Sequence, residues 1–292
     1  MIQDILQQKK EQIEKRLRHL LISDINAHDT LYASMNYSLL AGGKRIRPSL
    51  FLMGLDLLGV PEEPYLSVAC ALECVHTYSL IHDDLPQMDN DDYRRGKLTN
   101  HKVYGAGMAT MAGDGLLTEA FRLVGEAEGI SQTTRCRIIS LLARAAGPSG
   151  MVGGQAQDIE SEGKTLTLSD LRLMDRCKTG ALLTVPLDMA SAIAGVGVDL
   201  EAKLHQYGVH LGQLFQITDD LLDESGNLAE MGKNPGQDAV MHKSTYVSLI
   251  GMDEARRSAE MEADQAKAIA DTLGKKGQIL RELADFILLR EK

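Results

Sequence analysis

No apolar run in this 292-residue chain reaches the roughly 18 residues that a bilayer span needs. The nearest stretch, Gly180 to Leu200, is interrupted by Asp188. No leader pattern opens the chain either: Met1 to Leu21 is spaced as an amphipathic helix with Glu11 and Glu14 among its lysines, so a cytoplasmic protein without stable membrane insertion is expected. Cysteine is scarce. Cys70, Cys74, Cys136 and Cys177 have neither CxxC spacing nor a paired histidine, which argues against zinc and against a disulfide framework and leaves reduced thiols. Positive charge is in deficit, with 31 Lys and Arg against 41 Asp and Glu and a formal net charge of -10, so nucleic acid and anionic membrane are poor partners.

Alternating β patterns of useful length are missing as well. Apolar spacing is instead helical nearly throughout, beginning with Ile2, Ile5, Leu6, Ile13, Leu17, Leu20 and Leu21 on one face. The same periodicity predicts helices over 30–41, 48–58, 64–85, 103–128, 131–146, 148–161, 168–195 with a break, 199–224, 244–273 with a break, and 276–290. Turn chemistry falls between them, at Gly42-Gly43, Gly59 to Pro61, Pro86, Gly147-Pro148 and Gly232 to Gly236. With no linker composition and no internal repeat, the expectation is one all-α domain over residues 1–292.

Two aspartate clusters close apolar helices about half a chain apart: Asp83-Asp84-Leu85-Pro86-Gln87-Met88-Asp89 and Asp219-Asp220-Leu221-Leu222-Asp223. Neighbouring carboxylates repel and resist desolvation, so such clusters make sense around hard divalent cations that hold a phosphorylated substrate. Asp219 and Asp223 are one helical turn apart and share a face, with Asp220 rotated aside. In the first cluster Pro86 removes a backbone donor and pushes Leu85 out of helical geometry, so Asp83 should end its helix and Asp89 return from a loop. Taken singly, either cluster would pass for a solvated helix end.

Basic residues gather on the turns. Gly42-Gly43-Lys44-Arg45-Ile46-Arg47-Pro48 precedes a helix, Arg94-Arg95-Gly96-Lys97 follows the first aspartates, and Lys178-Thr179-Gly180 and Gly232-Lys233 add two more groups. Alone each would read as a solvated charge run; beside carboxylates and glycine turns they suit a diphosphate, drawing electrons from its ester oxygen. His76 lies seven positions before Asp83, on the same helix face, and is assigned to the ligand side rather than to the core. Gln155 and Asp158 are read as capping or bridging helices.

These residues carry a family resemblance over essentially the whole chain. ECVHTYSLIHDDLPQMDNDDYRRGKLTNHKVYG (73–105) and FQITDDLLDESGN (215–227) resemble the two aspartate-rich regions of trans-polyprenyl diphosphate synthases. GGKRIRP (42–48), GGQAQD (153–158), KTGAL (178–182) and GKNPGQD (232–238) follow in family order. The insertion in the first aspartate motif and the aromatic Tyr78 make the chain most similar to the bacterial farnesyl diphosphate synthases. The resemblance implies an isoprenoid-synthase helical bundle around a deep central cavity, a homodimer, and head-to-tail prenyl transfer from dimethylallyl or geranyl diphosphate to isopentenyl diphosphate.

By that resemblance, three Mg2+ ions would be held by Asp83, Asp89 and Asp219, with Asp84 and Asp223 in support. Arg95, Lys178 and Lys233 match the allylic-diphosphate ligands; Lys44, Arg47, His76 and Arg94 match those for isopentenyl diphosphate. Thr179 and Gln216 match residues that steady the carbocation. Tyr78 and Ser79, five and four positions before Asp83, match the positions that set chain length, an aromatic there going with a C15 product. Gln237 and Val247 depart from the family's common Lys and Pro and leave the 232–247 segment less defined, with 225–243 the expected closing loop. Geranyl or geranylgeranyl diphosphate synthases stay as alternatives. So do a non-catalytic synthase subunit, which typically lacks an aspartate motif, and a class I terpene cyclase, whose second motif differs.

Overall fold

The computed structural model describes residues 2–21, 26–224 and 244–290. It is all-α, apart from a hairpin of two-residue strands, β1 (Tyr93–Arg94) and β2 (Lys97–Leu98), with Tyr93 opposite Leu98. The chain packs into two compact units, Gln3–Leu52 with Pro61–Ile139, and Met53–Val60 with Ser140–Lys292. Helices α3 (Ile46–Leu57) and α7 (Gln132–Ala146) contribute residues to both.

The first unit is built on α1 (Ile2–Leu17), α2 (Asp29–Leu39), α4 (Leu66–Asp83), α5 (Asn100–Tyr104) and α6 (Ala106–Gly125). In α1 the expected face is the buried one: Ile13 and Leu17 are fully covered, each contributing about 1.5–3 kcal/mol of apolar burial. Helix α4 has no polar face to give to solvent; Val68 to Val75 are all buried, as suits a helix surrounded by others. It packs along α6, where alanines and glycines (Ala109, Ala112, Gly113) let the backbones approach. The single helix expected over 103–128 is two: Gly105, with φ +83, breaks α5 from α6 in a conformation that a side chain would strain.

The second unit contains α8 (Met151–Glu160), α9 (Leu168–Asp175), α10 (Ala181–Ala194), α11 (Val198–Glu224), α12 (Tyr246–Ile250), α13 (Met252–Asp271) and α14 (Gln278–Leu288). Two N-termini are capped by threonine: Thr167 accepts from the Asp170 amide, and Thr245 forms a capping box with Ser248. Left-handed Gly195 closes α10. Along α13 a stripe of Ala255, Ala259, Ala263, Ala266 and Ala270 is buried where it packs on α11.

The break expected within 168–195 is a π-helical turn, Arg176–Gly180. Glycines make room for it. A Cβ on Gly212 would lie 2.7 Å from the Gly180 Cα, and one on Gly154 would collide with the Lys178 backbone. Single π turns recur at functional sites because they offset side chains from the helical register; this one carries Lys178 and Thr179.

Candidate active site

In the first unit the glycine turn before α3 is a backbone device. Gly42 and Gly43 have φ +88 and +119, and Arg45, which is not glycine, is also left-handed at φ +54. Arg45 is held there by burial: its guanidinium pairs with Glu73 on α4, donates to the Leu39 carbonyl at 2.7 Å, and has Glu14 at 3.6 Å. The sequence offers Lys44, Arg45 and Arg47 as one cationic group, but the fold divides it. Arg45 is an internal strut, while Lys44 is exposed and Arg47 half-buried on the first turn of α3.

Arg47 Nη1 lies 3.3 Å from His76 Nε2. An arginine only donates, so Nε2 is the acceptor and the ring proton sits on Nδ1. Burial, then Arg47, Arg95, Arg94 and Arg45, depress the His76 pKa well below the usual 6.5, so the ring is neutral. The unfolded chain accepts a proton near pH 6.5 that the folded chain refuses. This contribution to stability is therefore complete above that pH and is lost as the medium is acidified below it. In His76→Gln the melting temperature, scanned from pH 7.5 to 5, should fall less steeply than in the parent; an equal slope would remove His76 from the titration.

Helix α4 ends at Asp83, and the chain returns as Pro86 requires. The Asp89 amide donates to the Asp83 carbonyl at 2.9 Å, while Met88 and Asn90 donate to Leu85. Asp83 and Asp89 are thereby brought together, both half-buried. Asp84 lies differently: it is 3 % exposed and accepts from Arg94 at 2.5 and 2.6 Å, with Asp91 on the same guanidinium at 3.2 Å. Arg94, read as a diphosphate ligand, thus also ties Asp84 and Asp91 together. Arg95, like Arg45, is left-handed, at φ +53. Its guanidinium donates to the Gly42 carbonyl, reaches Glu73 at 3.8 Å, and stands where a Cβ on Gly43 would be, 2.7 Å from Cζ.

Tyr78 is buried one turn before His82, the rings meeting edge to face at 5.7 Å, and His82 Nε2 is 3.1 Å from the Thr110 carbonyl on α6. Burial and then Asp83 raise the Tyr78 phenol to about 12, so it stays neutral. Ser79 turns its hydroxyl back to the His76 carbonyl, 2.9 Å away.

In the second unit Lys178 meets Asp158 at 2.5 Å, the helix-bridging role expected of that aspartate. Thr179 Oγ1 donates to Gln216 Oε1 at 3.0 Å, joining the two residues that the resemblance assigns to the carbocation. The amide is oriented from behind: Gln216 Nε2 donates to Asp220 Oδ1 at 3.0 Å, and Asp220 Oδ2 accepts from the Tyr246 amide at 2.8 Å. Asp220, rotated aside as expected, is therefore 7 % exposed and anchors the start of α12, while Asp219 and Asp223 stay half-buried on the other face. Asp175, which the sequence reading passed over, is buried near Asp220. Burial and then Asp220 push its pKa well above the usual carboxylate range. Also missed was Arg290, whose Nη2 is 2.5 Å from Asp219 Oδ1. Lys233 and the expected closing loop 225–243 lie outside the described residues.

Among the described residues no three His, Cys, Asp or Glu side chains gather into a ready metal cage. Mg2+ keeps several waters and is commonly held by one or two carboxylates together with substrate phosphate oxygens. Asp83 with Asp89, and Asp219 with Asp223, are hard oxygen pairs of that kind.

A farnesyl diphosphate synthase of Geobacillus stearothermophilus is 44% identical over 292 residues, covering 99% of this chain and 98% of the relative. The apo structure of an FPP/GFPP synthase from Zymomonas mobilis superposes with a TM-score of 0.88 at 34% identity, covering 98% of both chains. A geranyltransferase from Helicobacter pylori, solved with magnesium and isoprenyl diphosphate, gives 0.87 at 31% identity, over 98% of this chain and 95% of that one. The polyprenyl synthetase profile matches residues 28–284, and the chain belongs to that family.

Proposed function

We propose that the chain condenses isopentenyl diphosphate with dimethylallyl and then geranyl diphosphate, head to tail, with farnesyl diphosphate as its main product. The observation that carries this reading is the end-to-end likeness to a farnesyl diphosphate synthase in a chain that keeps both aspartate motifs. Bound Mg2+, three ions in this reading, would withdraw charge from the allylic diphosphate and so assist its departure. Asp83, Asp89, Asp219 and Asp223 would hold the ions, with Asp84 acting through Arg94. Lys178, Arg95 and Lys233 complete the grip on the leaving diphosphate. Lys44, Arg47, neutral His76 and Arg94 orient isopentenyl diphosphate. The Thr179 and Gln216 oxygens face the allylic cation with their dipoles, and the departing diphosphate takes the final proton. The chain acts as one domain, in a cytoplasmic homodimer.

Radiolabelled isopentenyl diphosphate, supplied with dimethylallyl diphosphate and Mg2+, should be incorporated into a C15 product. Absence of any elongated product would sink the enzyme reading, and product released without isopentenyl consumption would point to a cyclase. Tyr78→Ala removes the buried ring beside His82 and should shift the chromatographed products from C15 toward C20. Unchanged length would refute its role in setting chain length.

A further inference from the structure

The last described residue, Arg290, is seated on the second aspartate motif from behind. Its Nη2 contacts Asp219 Oδ1 at 2.5 Å, Thr218 Oγ1 at 2.7 Å and the Phe215 carbonyl at 2.7 Å; Nε reaches Thr218 Oγ1 at 3.1 Å; and Cζ lies 4.0 Å above the Phe215 ring. Its side chain is 5 % exposed against 37 % for Asp219. The seat is built to receive it. The Thr218 hydroxyl hydrogen is directed to the carbonyls of Leu214 and Phe215, so its lone pairs accept from the guanidinium. The helix that delivers Arg290 is fixed as well: Tyr207 of α11 donates to the Leu280 carbonyl at 2.7 Å, and Leu280, Leu283, Ala284 and Ile287 are buried.

A guanidinium so enclosed does more than anchor a chain end. Asp219 and Asp223 are like charges one turn apart, and Arg290 supplies the positive charge that one of them needs. We propose that Arg290 is a built-in competitor of the divalent cation at Asp219, so that the C-terminal turn raises the Mg2+ concentration at which the second aspartate motif loads. This rests on Asp219 being a metal ligand. A dication and a guanidinium drawing on one carboxylate repel each other at the few ångströms that separate them.

Mg2+ binding can be read without turnover, by calorimetric titration and by the metal-induced rise in melting temperature, in the presence of an allylic thiodiphosphate that does not ionise. Arg290→Gln should half-saturate at about fivefold lower Mg2+ than the parent, while its metal-free melting temperature falls. Arg290→Lys, which keeps the charge but loses the fork, should lie between the two and serves alone if the glutamine variant does not fold. An unchanged or raised midpoint in both Arg290 variants, with the midpoint of Asp219→Asn raised, makes Arg290 a mere anchor and overturns the inference while sparing the ligand reading. If Asp219→Asn leaves the midpoint unmoved, the ligand reading fails and the inference with it.

Discussion

Asp219→Asn and Asp83→Asn are each expected to lower kcat about 10³-fold at saturating substrates, the scale on which electrostatic groups act on a developing charge. The amide is isosteric with the carboxylate, but it carries no charge and offers one oxygen instead of two. Metal would still reach the site bound to diphosphate, yet it would be held less firmly where the ester oxygen leaves. Both carboxylates are half-buried at helix ends, so folding should survive, and circular dichroism with a melting curve checks that. Extra Mg2+ should recover part of the loss, which separates a ligand defect from a misfold. Asp220→Asn is the informative contrast: Asp220 holds Gln216 and the Tyr246 amide, so its variant should lose stability as well as rate, and added metal should restore neither. Activity of Asp219→Asn within tenfold of the parent would remove Asp219 from the leaving-group machinery.

Helical periodicity made most of the fold legible, because an α-helix declares its buried face at a fixed spacing. It fell short where a helix end depends on one residue's backbone freedom: Gly105 splits an otherwise unbroken apolar pattern, and the break expected within 168–195 gave no sign of being a π turn, which glycines at positions 154 and 212 make room for. Within the site, Pro86 announced the return of Asp89, and the i, i+4 rule separated Asp220 from Asp219 and Asp223. Two partners were invisible because they come from far along the chain, Glu73 for Arg45 and Arg290 for Asp219, and the bridging role read for Asp158 did not name Lys178 as its partner. A sequence shows which residues can carry charge, but not which charges are already spent on one another. Two left-handed arginines, Arg45 and Arg95, do signal it after the fact, since a bulky residue stays at positive φ only when its surroundings hold it there.

That hold is Glu73, and Glu73→Gln is expected to destabilise the protein by about 3–5 kcal/mol, the cost of leaving a buried ion without its partner. Arg45 has no exposed side-chain surface and Glu73 is 1 % exposed, so solvent cannot replace the lost charge, and Glu14 at 3.6 Å is too distant to do so fully. Urea unfolding measures the loss. The same carboxylate lies 3.8 Å from Arg95, which in turn grips the Gly42 carbonyl, so its removal should also loosen the glycine turn that presents Lys44 and Arg47. KM for isopentenyl diphosphate should therefore rise about tenfold, with kcat less affected, the pattern of lost binding common to ground and transition states. Stability and positioning can be separated by replacing both partners. Arg45→Met with Glu73→Met puts apolar groups where the ion pair was, a change that is often neutral, and should recover most of the unfolding free energy. It cannot restore the charge facing Arg95, so KM should stay high. If KM returned to the parent value in the double variant, Glu73 would be only a strut of the core and the turn would hold its shape without it.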